Sequence, residues 1–327
     1  MPTVSAKLQY KRCCASGAVK SVPESVAVLD SIKARLVQRA GLIASIRNYF
    51  DSHGFLEIET PVLIKSPAPE EFIESITANY GFLRTSPELQ MKPLLSTGYD
   101  KIYQIGACFR EGEFGRRHRP EFTMLEWYQA AADYMTLLKF TTEFIKHAAM
   151  KLFGNGKITY QGSVINLEVE PELITVNEAF LKYTGITAAE AMKQDVFDEL
   201  MVTEIEPELG RERLTFLLDY PAERASLARL KKTDQTVAER WELYIAGLEL
   251  ANAYSELTDP LEQKRRFDMT VEYREANGMR RYPEPTEFFA ALNYGLPECA
   301  GCALGIDRLV MIFTDASDIA DVKVPLS

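Results

Sequence analysis

The segment 241–256 constrains the fold most, because apolar residues alternate with polar ones along it. A period of two is typical of β-strands, whose successive side chains point to opposite faces of a sheet. Ala246-Gly247 in its middle predicts a hairpin that joins two such strands. The polar residues on the strand pair are Glu242, Glu249, Asn252 and Glu256. Several acids therefore share a strand pair that is otherwise typical of a protein core.

Carboxylates on such a sheet are costly to bury unless they are paired or bind a metal ion. Glu242 and Glu249 would suit Mg²⁺ near a nucleotide, because this ion takes one or two protein carboxylates and completes its octahedron with phosphates and water. The alternative is a sheet with one solvated face, on which these acids have no special role. The residues alone leave both interpretations open.

Further segments predict strands and helices in the same domain. Apolar residues recur at helical spacing over 31–53, and the strand-like alternation of 55–60 ends at Pro61. Other predicted strands are 121–128 and 214–219, with strand and helix pieces in 82–92 and 102–109. Other predicted helices are 135–153, 176–183, 188–201, 261–277 and 287–293. Strands that run together with helices at their margins predict an α+β domain, built on a mainly antiparallel sheet flanked by helices.

Residues 1–28 have no pattern and are predicted to form an N-terminal tail. Residues 29–327 show no internal repeat and no low-complexity linker, which favours one domain. Within it, the stretch from about 154 to 210 is less regular and is predicted to be an insertion. The expected organisation is therefore a tail followed by a single domain that carries one insertion.

Charge and cysteine content narrow the functional classes. The formal net charge of −10 argues against a polyanion as the main partner, since affinity for a phosphate backbone comes from clustered Lys and Arg, although local basic patches are compatible with it. The cysteines are Cys13, Cys14, Cys108, Cys299 and Cys302. Without paired clusters of zinc ligands, we expect them to be reduced and inert. The odd cysteine count, with no apolar leader and no stretch long enough to span a membrane, predicts a cytoplasmic protein.

A basic cluster lies between two predicted strands. It consists of Arg110, Arg116, Arg117, His118 and Arg119. Arginine forks match phosphate oxygens bidentately and stay charged when partly buried, so the cluster could clamp a polyphosphate. The alternative is a solvated charged turn, which is how most such runs behave.

A third cluster, 301–311, places small residues and Arg308 at the start of an apolar helix. Small residues let a ligand approach the backbone closely. The cluster is not a P-loop, because the G-K-[ST] sequence of that motif occurs nowhere in the chain.

Together these clusters resemble the three signature motifs of class II aminoacyl-tRNA synthetases. Residues 54–61 are similar to motif 1, 109–128 to motif 2 and 305–308 to motif 3, and the resemblance runs from about Ser31 to Met311. It implies the catalytic fold of that class, with ATP and Mg²⁺ as cofactors. Motif 1 forms dimers in that class, so the resemblance also implies a homodimer, although the amphipathic helix could equally pack inside one subunit.

Within that class, the acids of this chain resemble the pocket of the lysine branch. By that resemblance Glu88 and Glu126 hold the substrate amino group nearest the carboxylate, while Tyr128 and Glu256 face the ε-ammonium. Several acids suit a dicationic substrate, because they replace its lost hydration. The substrate-binding residues implied in full are Ser86, Pro87, Glu88, Glu126, Tyr128, Asn252, Glu256 and Ala303.

The same resemblance assigns the ATP end. Arg110 holds the α-phosphate and Arg308 the γ-phosphate, and these are the expected catalytic residues. Phe122 stacks on adenine, His118 helps to seat the nucleotide, and Glu242 and Glu249 carry Mg²⁺. Positioning and charge neutralisation then supply the catalysis, with no general base or covalent nucleophile for activation. The ATP-binding residues implied in full are Arg110, Glu111, Gly112, Glu113, His118, Arg119, Phe122, Glu249, Leu250, Gly305 and Arg308.

Two features favour one branch of the family. A lysyl-tRNA synthetase of this kind carries an N-terminal OB-fold that binds the anticodon, and a first helix near residue 31 leaves no room for that barrel. Ala303 stands where those synthetases usually have glycine, and where the lysyltransferases that modify elongation factor P have alanine. A methyl group there would crowd an α-amino group and shift selectivity by about 1–3 kcal/mol toward an amine one carbon further on.

The resemblance therefore implies that (R)-β-lysine, or lysine, is activated as an adenylate and transferred to a lysine side chain of elongation factor P. Two other functions stay open: a paralogue that charges tRNA or a small acceptor with lysine, and a synthetase-like binding module without catalysis. The retention of costly charged residues, such as Arg110 and Arg308, argues against the binding module.

Three positions depart from the family pattern. Gly112 stands where motif 2 has a glutamate, Arg119 stands where asparagine is usual, and Ala253 replaces a glycine. The first two touch the expected ATP contacts. We expect Glu113 to take the role of the missing carboxylate through a shifted loop.

Overall fold

The computed structural model of the protein describes residues 24–68 and 70–325. Its strands are β1 (Leu56–Glu57), β2 (Leu63–Ile64), β3 (Thr77–Ala78), β4 (Gly81–Leu83), β5 (Lys101–Phe109), β6 (Glu121–Ala130), β7 (Lys157–Tyr160), β8 (Ser163–Asn166), β9 (Glu172–Thr175), β10 (Thr215–Pro221), β11 (Leu230–Lys231), β12 (Asp234–Ile245), β13 (Leu248–Ser255) and β14 (Cys299–Gly305). Its helices are α1 (Glu24–Ser52), α2 (Glu88–Leu95), α3 (Tyr134–Phe153), α4 (Val176–Thr184), α5 (Ala188–Lys193), α6 (Phe197–Leu200), α7 (Pro260–Ala276), α8 (Thr286–Gly295) and α9 (Ile306–Phe313).

The central sheet has the strand order β1-β5-β6-β14-β13-β12-β10-β9, and β11 pairs with β12. The strands from β5 to β10 along this order pair antiparallel. The two edge pairs, β1 with β5 and β9 with β10, are parallel. The predicted α+β fold with a mainly antiparallel sheet flanked by helices is confirmed.

One face of the sheet carries the main hydrophobic core. Helices α1, α3 and α9 pack there, with Phe50, Phe144 and Leu309 among the fully buried residues. On β6, Leu125 and Trp127 point into this core. The residues between and after them, Glu126 and Tyr128, point to the opposite face and line a cavity. The period of two along the strand thus separates the core from the candidate site.

The hairpin predicted at Ala246-Gly247 is confirmed as the β12–β13 turn. Both residues have positive φ, +54° and +70°, which is the conformation of a type I′ turn. At Gly247 an added Cβ would lie 3.2 Å from the Pro207 carbonyl oxygen. A glycine therefore satisfies both the backbone conformation and the close packing of this turn.

Three predicted boundaries differ from the structure. Helix α1 begins at Glu24, so residues 24–28 of the expected tail are helical, while residues 1–23, with Cys13 and Cys14, lie outside the described residues. The strand predicted at 55–60 is only Leu56–Glu57. Its backbone leaves the sheet because the Gln104 side chain, rather than a strand carbonyl, accepts from the Thr60 N–H at 2.6 Å. The helix predicted at 188–201 breaks where Asp195 takes a φ of +58°.

The stretch expected to be an insertion, 154–210, contains β7–β9 and α4–α6. The apolar residues of β9 and α4–α6 form a separate small cluster with Leu217 of β10 and Tyr244 of β12, whereas those of β7 and β8 pack into the main core. After α6 the chain makes one π-helical turn, Met201–Ile205. These helices consequently cover one end of the central sheet, next to the acids of β12 and β13.

Among the described residues, no helix combines the length and the apolar character needed to span a membrane. Three of the cysteines, Cys108, Cys299 and Cys302, are buried free thiols.

Candidate active site

A cavity of about 370 Å³, here called the main cavity, lies on the sheet face opposite the main core. Strands β6, β12, β13 and β14 form its floor, since each presents alternate residues to it. The predicted site residues that line it are Ser86, Glu88, Arg110, Glu113, His118, Arg119, Phe122, Glu126, Tyr128, Glu242, Glu249, Leu250, Asn252, Ala303, Gly305 and Arg308. The structure thus brings together residues that are more than 200 positions apart in the chain.

Four predicted site residues do not line the main cavity: Pro87, Glu111, Gly112 and Glu256. Pro87 is the residue that precedes α2. Glu111 points away and pairs with Arg280, 3.2 Å between Oε2 and Nη2. Gly112 has no side chain and turns the loop with a φ of +79°. Glu256 is 1% exposed and lies behind the cavity wall.

A lysine of the protein itself holds Glu256. Lys92 of α2 is 1% exposed, and its Nζ lies 2.5 Å from a carboxylate oxygen of Glu88 and 2.5 Å from one of Glu256. The pKa of the Lys92 ammonium is raised because both carboxylates outweigh the effect of its burial. Burial raises the pKa of Glu256 to about 7, and Lys92 opposes that rise. Glu88 and Glu256 therefore share one internal cation, a pairing that differs from the predicted one.

Glu126 is paired with neutral groups instead. Its two oxygens accept hydrogen bonds from the Ser86 hydroxyl at 2.8 Å and the Tyr128 hydroxyl at 2.7 Å. Burial, followed by the charge of Glu88, raises the pKa of Glu126 to about 8 despite these hydrogen bonds. This raised pKa favours the protonated form of Glu126 at neutral pH. An arriving ammonium would favour its ionised form.

Gly301 of β14 makes room for both groups. A Cβ at this position would overlap the Tyr128 ring and the Glu256 carboxylate. Its neighbour Ala303 lies opposite Glu126 in the β6–β14 register and opposite Asn252 in the β13–β14 register. The methyl group of Ala303 is thus on the cavity floor between two predicted substrate-binding residues.

At the other end of the main cavity, Arg110 follows β5. Its Nη1 lies 3.6 Å from Glu113 Oε1, and its guanidinium lies 5.1 Å from the centre of the Phe122 ring. The positive φ of Gly112 lets the loop turn so that Glu113, and not Glu111, returns to Arg110. This geometry supports the role expected of Glu113, which stays a prediction. The Arg110 guanidinium also lies over the face of the Phe122 ring, the face on which adenine is expected to stack.

Arg308 sits at the start of α9 and joins the loop to β13. It donates to the Glu249 carbonyl oxygen at 2.7 Å and lies 2.6 Å from His118 Nε2. Burial, followed by the charge of Arg308, lowers the pKa of His118, and its Nε2 accepts from Arg308 because a guanidinium can only donate. Arg119 lines the cavity too, but its guanidinium donates to the Gly115 carbonyl oxygen and to Asp318. Arg119 therefore fixes the loop between β5 and β6 to the C-terminal segment at Asp318.

The two predicted metal ligands share the cavity wall. Burial, followed by the charge of Glu242, raises the pKa of Glu249, which shows that the two carboxylates repel each other. Arg240 offsets part of this repulsion at 2.6 Å from Glu242. No group of three acidic, His or Cys side chains suited to hold a metal exists among the described residues. Two hard oxygen donors fit Mg²⁺, because this ion takes its other ligands from phosphates and water.

Three residues of the site were missed from the sequence. Arg240 lies two positions before Glu242 on β12, so the period of two could have indicated it. Lys92 is four positions after Glu88, which is helical spacing for an ion pair. Glu70 lines the main cavity from the loop between β2 and β3, where no periodic pattern exists. A loop residue of this kind has no local sequence signature.

An ion pair beneath the site fixes the first helix to the last. Arg39 of α1 lies 2.6 Å from Asp307 of α9, which is 2% exposed. Asp307 also accepts from the Thr123 N–H of β6 at 3.0 Å. This contact positions the start of α9, and thereby Arg308, against the sheet.

A second cavity of about 420 Å³, here called the side cavity, adjoins the main one. The residues that line both are Glu70, Ile73, Arg240, Glu242, Glu249, Asn252 and Tyr254. Its far wall comes from α6, the π-helical turn and the loop after β10. These shared residues therefore form a common wall between the two cavities.

Comparison with known proteins gives consistent matches. The family model for class II tRNA synthetases of the D, K and N type matches residues 26–324. The elongation factor P–(R)-β-lysine ligase of Proteus mirabilis is 37% identical over 306 residues, 88% of this chain and 94% of the relative. The corresponding ligase of Photorhabdus laumondii is also 37% identical, with the same coverage. The lysine–tRNA ligase of Thiobacillus denitrificans is 37% identical over 90% of this chain, and this chain covers 64% of that protein.

Proposed function

The chain belongs to the class II tRNA synthetases of the D, K and N type, and on that premise we propose that it is an ATP-dependent lysine ligase. We propose that it activates (R)-β-lysine, or lysine, as an aminoacyl-adenylate and transfers the acyl group to a lysine side chain of elongation factor P. One observation carries this proposal. A single cavity has buried acids for ammonium groups at one end and arginines for phosphates at the other.

The first half-reaction joins the substrate carboxylate to the α-phosphorus of ATP and releases pyrophosphate. Glu88 and Glu126 hold the substrate amine, so the carboxylate points along the cavity toward Arg110. Arg110 neutralises the α-phosphate, and Arg308 neutralises the γ-phosphate from the start of α9. Glu242 and Glu249 would hold Mg²⁺, which supplies charge neutralisation on the phosphates. Positioning and charge compensation are the means of catalysis.

The distal ammonium of the substrate lies toward Tyr128 in this arrangement. Glu256 contributes through Lys92, because that lysine already contacts its carboxylate. Lys92 cancels the charge of one of the two carboxylates, Glu88 and Glu256, that it contacts. This end therefore keeps a net negative charge that attracts the incoming substrate. The pocket thus attracts a dication while its own acids remain paired.

Ala303 supports β-lysine over lysine, since its methyl group lies opposite Glu126 on the floor where an α-amine would sit. The replacement Ala303→Gly is expected to shift selectivity toward lysine by about 1–2 kcal/mol, roughly 5- to 30-fold. The measurement is the ratio of kcat/KM for (R)-β-lysine and lysine in pyrophosphate exchange. Ala300→Gly, the same change at a core residue of β14 that does not line the main cavity, is the matched control. An unchanged ratio in Ala303→Gly would remove Ala303 from the specificity argument.

The experiment that tests the function is a mass measurement on the acceptor. The protein is incubated with ATP, Mg²⁺ and (R)-β-lysine or lysine, and then with elongation factor P or tRNA. A mass gain of one lysyl group on elongation factor P, larger with (R)-β-lysine, is expected. Charging of tRNA without a change in elongation factor P would favour the paralogue, and absence of any adenylate would favour a binding module.

Charging of tRNA is the second candidate, because lysine–tRNA ligases match this chain with similar identity. The protein acceptor is favoured by relatives that match over 94% of their length. The acidic net charge of the chain also disfavours a polyanionic acceptor. Elongation factor P is therefore the first acceptor to test.

We further propose a cytoplasmic homodimer whose catalytic domain begins near residue 29. Exposed apolar side chains on α1, including Val26, Leu29 and Val37, support an interface there. Light scattering at the protein concentration used in the assay would then give twice the chain mass of 36.9 kDa. A monomer mass with full activity would contradict this proposal.

A further inference from the structure

The side cavity differs from the main cavity in the charge of its walls. Seven acids line it, against two arginines, Arg224 and Arg240. Such walls repel pyrophosphate and the 3′ end of a nucleic acid, because both are polyanions. They attract an ammonium group. The negative charge of these walls therefore disfavours the side cavity as a path for pyrophosphate or for the 3′ end of a tRNA.

The shape of the side cavity suits a long aliphatic amine. Phe72 and Val202, both more than half exposed, stand at its rim. Tyr220 lines it deeper down, 4% exposed, and its hydroxyl lacks a hydrogen-bond partner among the described residues. A lysine side chain has this character, with an apolar stem and a polar tip that needs partners. The buried Tyr220 hydroxyl could therefore form a hydrogen bond with the amino group of such a side chain.

Glu70 stands where the two cavities meet. It lines both, and its electrostatic neighbours are Arg110, Glu88, Glu113 and Arg240. It therefore lies between the groups that hold the amine and the α-phosphate of the adenylate. The bond to be broken in the transfer step joins those two parts of the adenylate.

The backbone of Glu70 is held in place. Arg274 of α7, 1% exposed, donates to the Glu70 carbonyl oxygen at 2.5 Å and to the Ile73 carbonyl oxygen at 3.2 Å. Arg274 is itself fixed by Glu74 at 2.8 Å. The Glu70 carboxylate, in contrast, forms no ion pair within 4 Å among the described residues. A fixed backbone with an unpaired carboxylate is suited to a group that exchanges a proton.

We propose that the acceptor amine reaches the adenylate through the side cavity, and that Glu70 takes a proton from it. This inference rests on the proposed function and assigns to its second half-reaction a route and a base. Burial, with the charges of Glu88 and Glu113, raises the pKa of Glu70 against the effect of Arg110. A base with a raised pKa removes a proton from an ammonium more readily.

The acceptor ammonium gives one proton to the Glu70 carboxylate and becomes a free amine. The nitrogen lone pair forms the C–N bond to the acyl carbon, and the C–O bond to the phosphate breaks. AMP leaves with that electron pair, and the second proton of the nitrogen goes to the departing phosphate.

The test compares two nucleophiles on enzyme-bound adenylate, with AMP release as the readout. n-Butylamine is protonated at neutral pH like a lysine side chain, whereas hydroxylamine is largely unprotonated and needs no base. Glu70→Gln is expected to slow the butylamine reaction by about 10²-fold relative to the hydroxylamine reaction. Glu70→Asp, which keeps a carboxylate, should recover part of the difference. An equal loss with both nucleophiles, or no loss, would overturn the assignment of Glu70.

The route is tested at the rim. Val202→Trp narrows the side cavity and is expected to slow transfer to elongation factor P while the hydroxylamine reaction keeps its rate. Leu181→Trp, at an exposed site of α4 outside both cavities, is the matched control. If Val202→Trp slows adenylate formation from the amino acid instead, the side cavity is the entrance of that substrate, and the proposed route is wrong.

The two proposals fail in different ways. If the wild-type protein forms no adenylate from either lysine, the proposed function fails and this inference falls with it. If it forms the adenylate and transfers it, but the Glu70 and Val202 variants behave like their controls, the function stands and only the inference is overturned.

Discussion

The two ends of the main cavity are built on different principles. At the ammonium end, Lys92, Glu126 and Glu256 are each no more than 2% exposed and are paired inside the protein. At the phosphate end, the side chains of Arg110, Glu113 and Arg308 are between 22% and 30% exposed. Strands and a helix carry the first set, whereas loop residues and a helix terminus carry the second.

Under the proposed function, this difference would let one site select its amino acid and still release its products. The ion pairs of Lys92 and the hydrogen bonds of Glu126 favour one arrangement, because a buried charge or polar group left without a partner is costly. The acidic end, which would hold the substrate ammonium groups, is therefore preorganised before the substrate binds. Partly exposed arginines are screened by water and exchange partners at little cost. Under the proposed function, this end would bind ATP and let pyrophosphate and AMP leave.

The largest effect is expected from a substitution at the acidic end of the main cavity. Lys92→Met removes the cation shared by Glu88 and Glu256 and leaves the buried Glu256 and the partly buried Glu88 without a cationic partner. The free energy of unfolding is expected to fall by about 3–5 kcal/mol, measured by urea denaturation.

The control for this variant is Lys139→Met, an exposed lysine of α3. The double variant Lys92→Met/Glu256→Gln should recover part of the loss, because one buried charge is then removed. A Lys92→Met protein as stable as the wild type would show that the acids at this end are not held by internal pairing.

The next effect concerns catalysis at the phosphate end. Arg110→Ala removes the charge expected at the α-phosphate, and kcat for pyrophosphate exchange should fall by about 10²- to 10³-fold. Stability should change little, because Arg110 pairs only loosely with Glu113 at 3.6 Å. Arg211→Ala, on the exposed surface, is the control. A large loss of stability with little loss of rate would reverse the contrast between the two ends.

A pH effect sharpens the comparison. The pKa of Glu126 is raised to about 8 by burial and by Glu88, so the empty site at pH 7 holds it protonated. Binding of the substrate ammonium favours the carboxylate and releases this proton. Affinity for the amino acid should therefore rise with pH up to about 8, by up to about tenfold per unit.

Calorimetry in buffers of different ionisation enthalpy measures the proton release directly. Close to one proton is expected at pH 7 for the wild type, and less for Glu126→Gln. Binding without proton release would mean that Glu126 is already ionised in the empty site.

The smallest effect tests the substituted loop. Glu113→Ala should raise the KM for ATP by about two- to fivefold, a small effect because the Arg110–Glu113 pair is long and partly exposed. Glu111→Ala, whose carboxylate faces Arg280, is the neighbouring control. Full activity with unchanged apparent ATP affinity in Glu113→Ala would contradict the role expected of Glu113.

Much of the cavity floor could be predicted because it depends on local periodicity. The alternation over 241–256 indicates both the strands and the acids on them, and the hairpin at Ala246-Gly247 follows from turn chemistry. Residues such as Glu126 and Tyr128 share a face for the same reason. The resemblance to a family then supplied expected roles, most of which fall on residues that line one cavity.

Other features escaped prediction because no local pattern encodes them. Glu256 was expected to face the substrate, but it faces Lys92 behind Gly301. These residues come from α2, β14 and the end of β13, and only their packing makes them neighbours. Glu70 has its place because Arg274, about 200 positions away, holds the backbone of its loop.

The sequence by itself determined the class of fold, the strand pair with its acids and the residue types at the two ends of the cavity, because periodicity and residue type act over short distances. Only the tertiary structure decided which acid pairs with which cation, and where the side cavity opens. Those outcomes depend on burial and on distances between remote segments. In a low-dielectric interior, a shift of a few ångströms separates a shared ion pair from an unpaired charge.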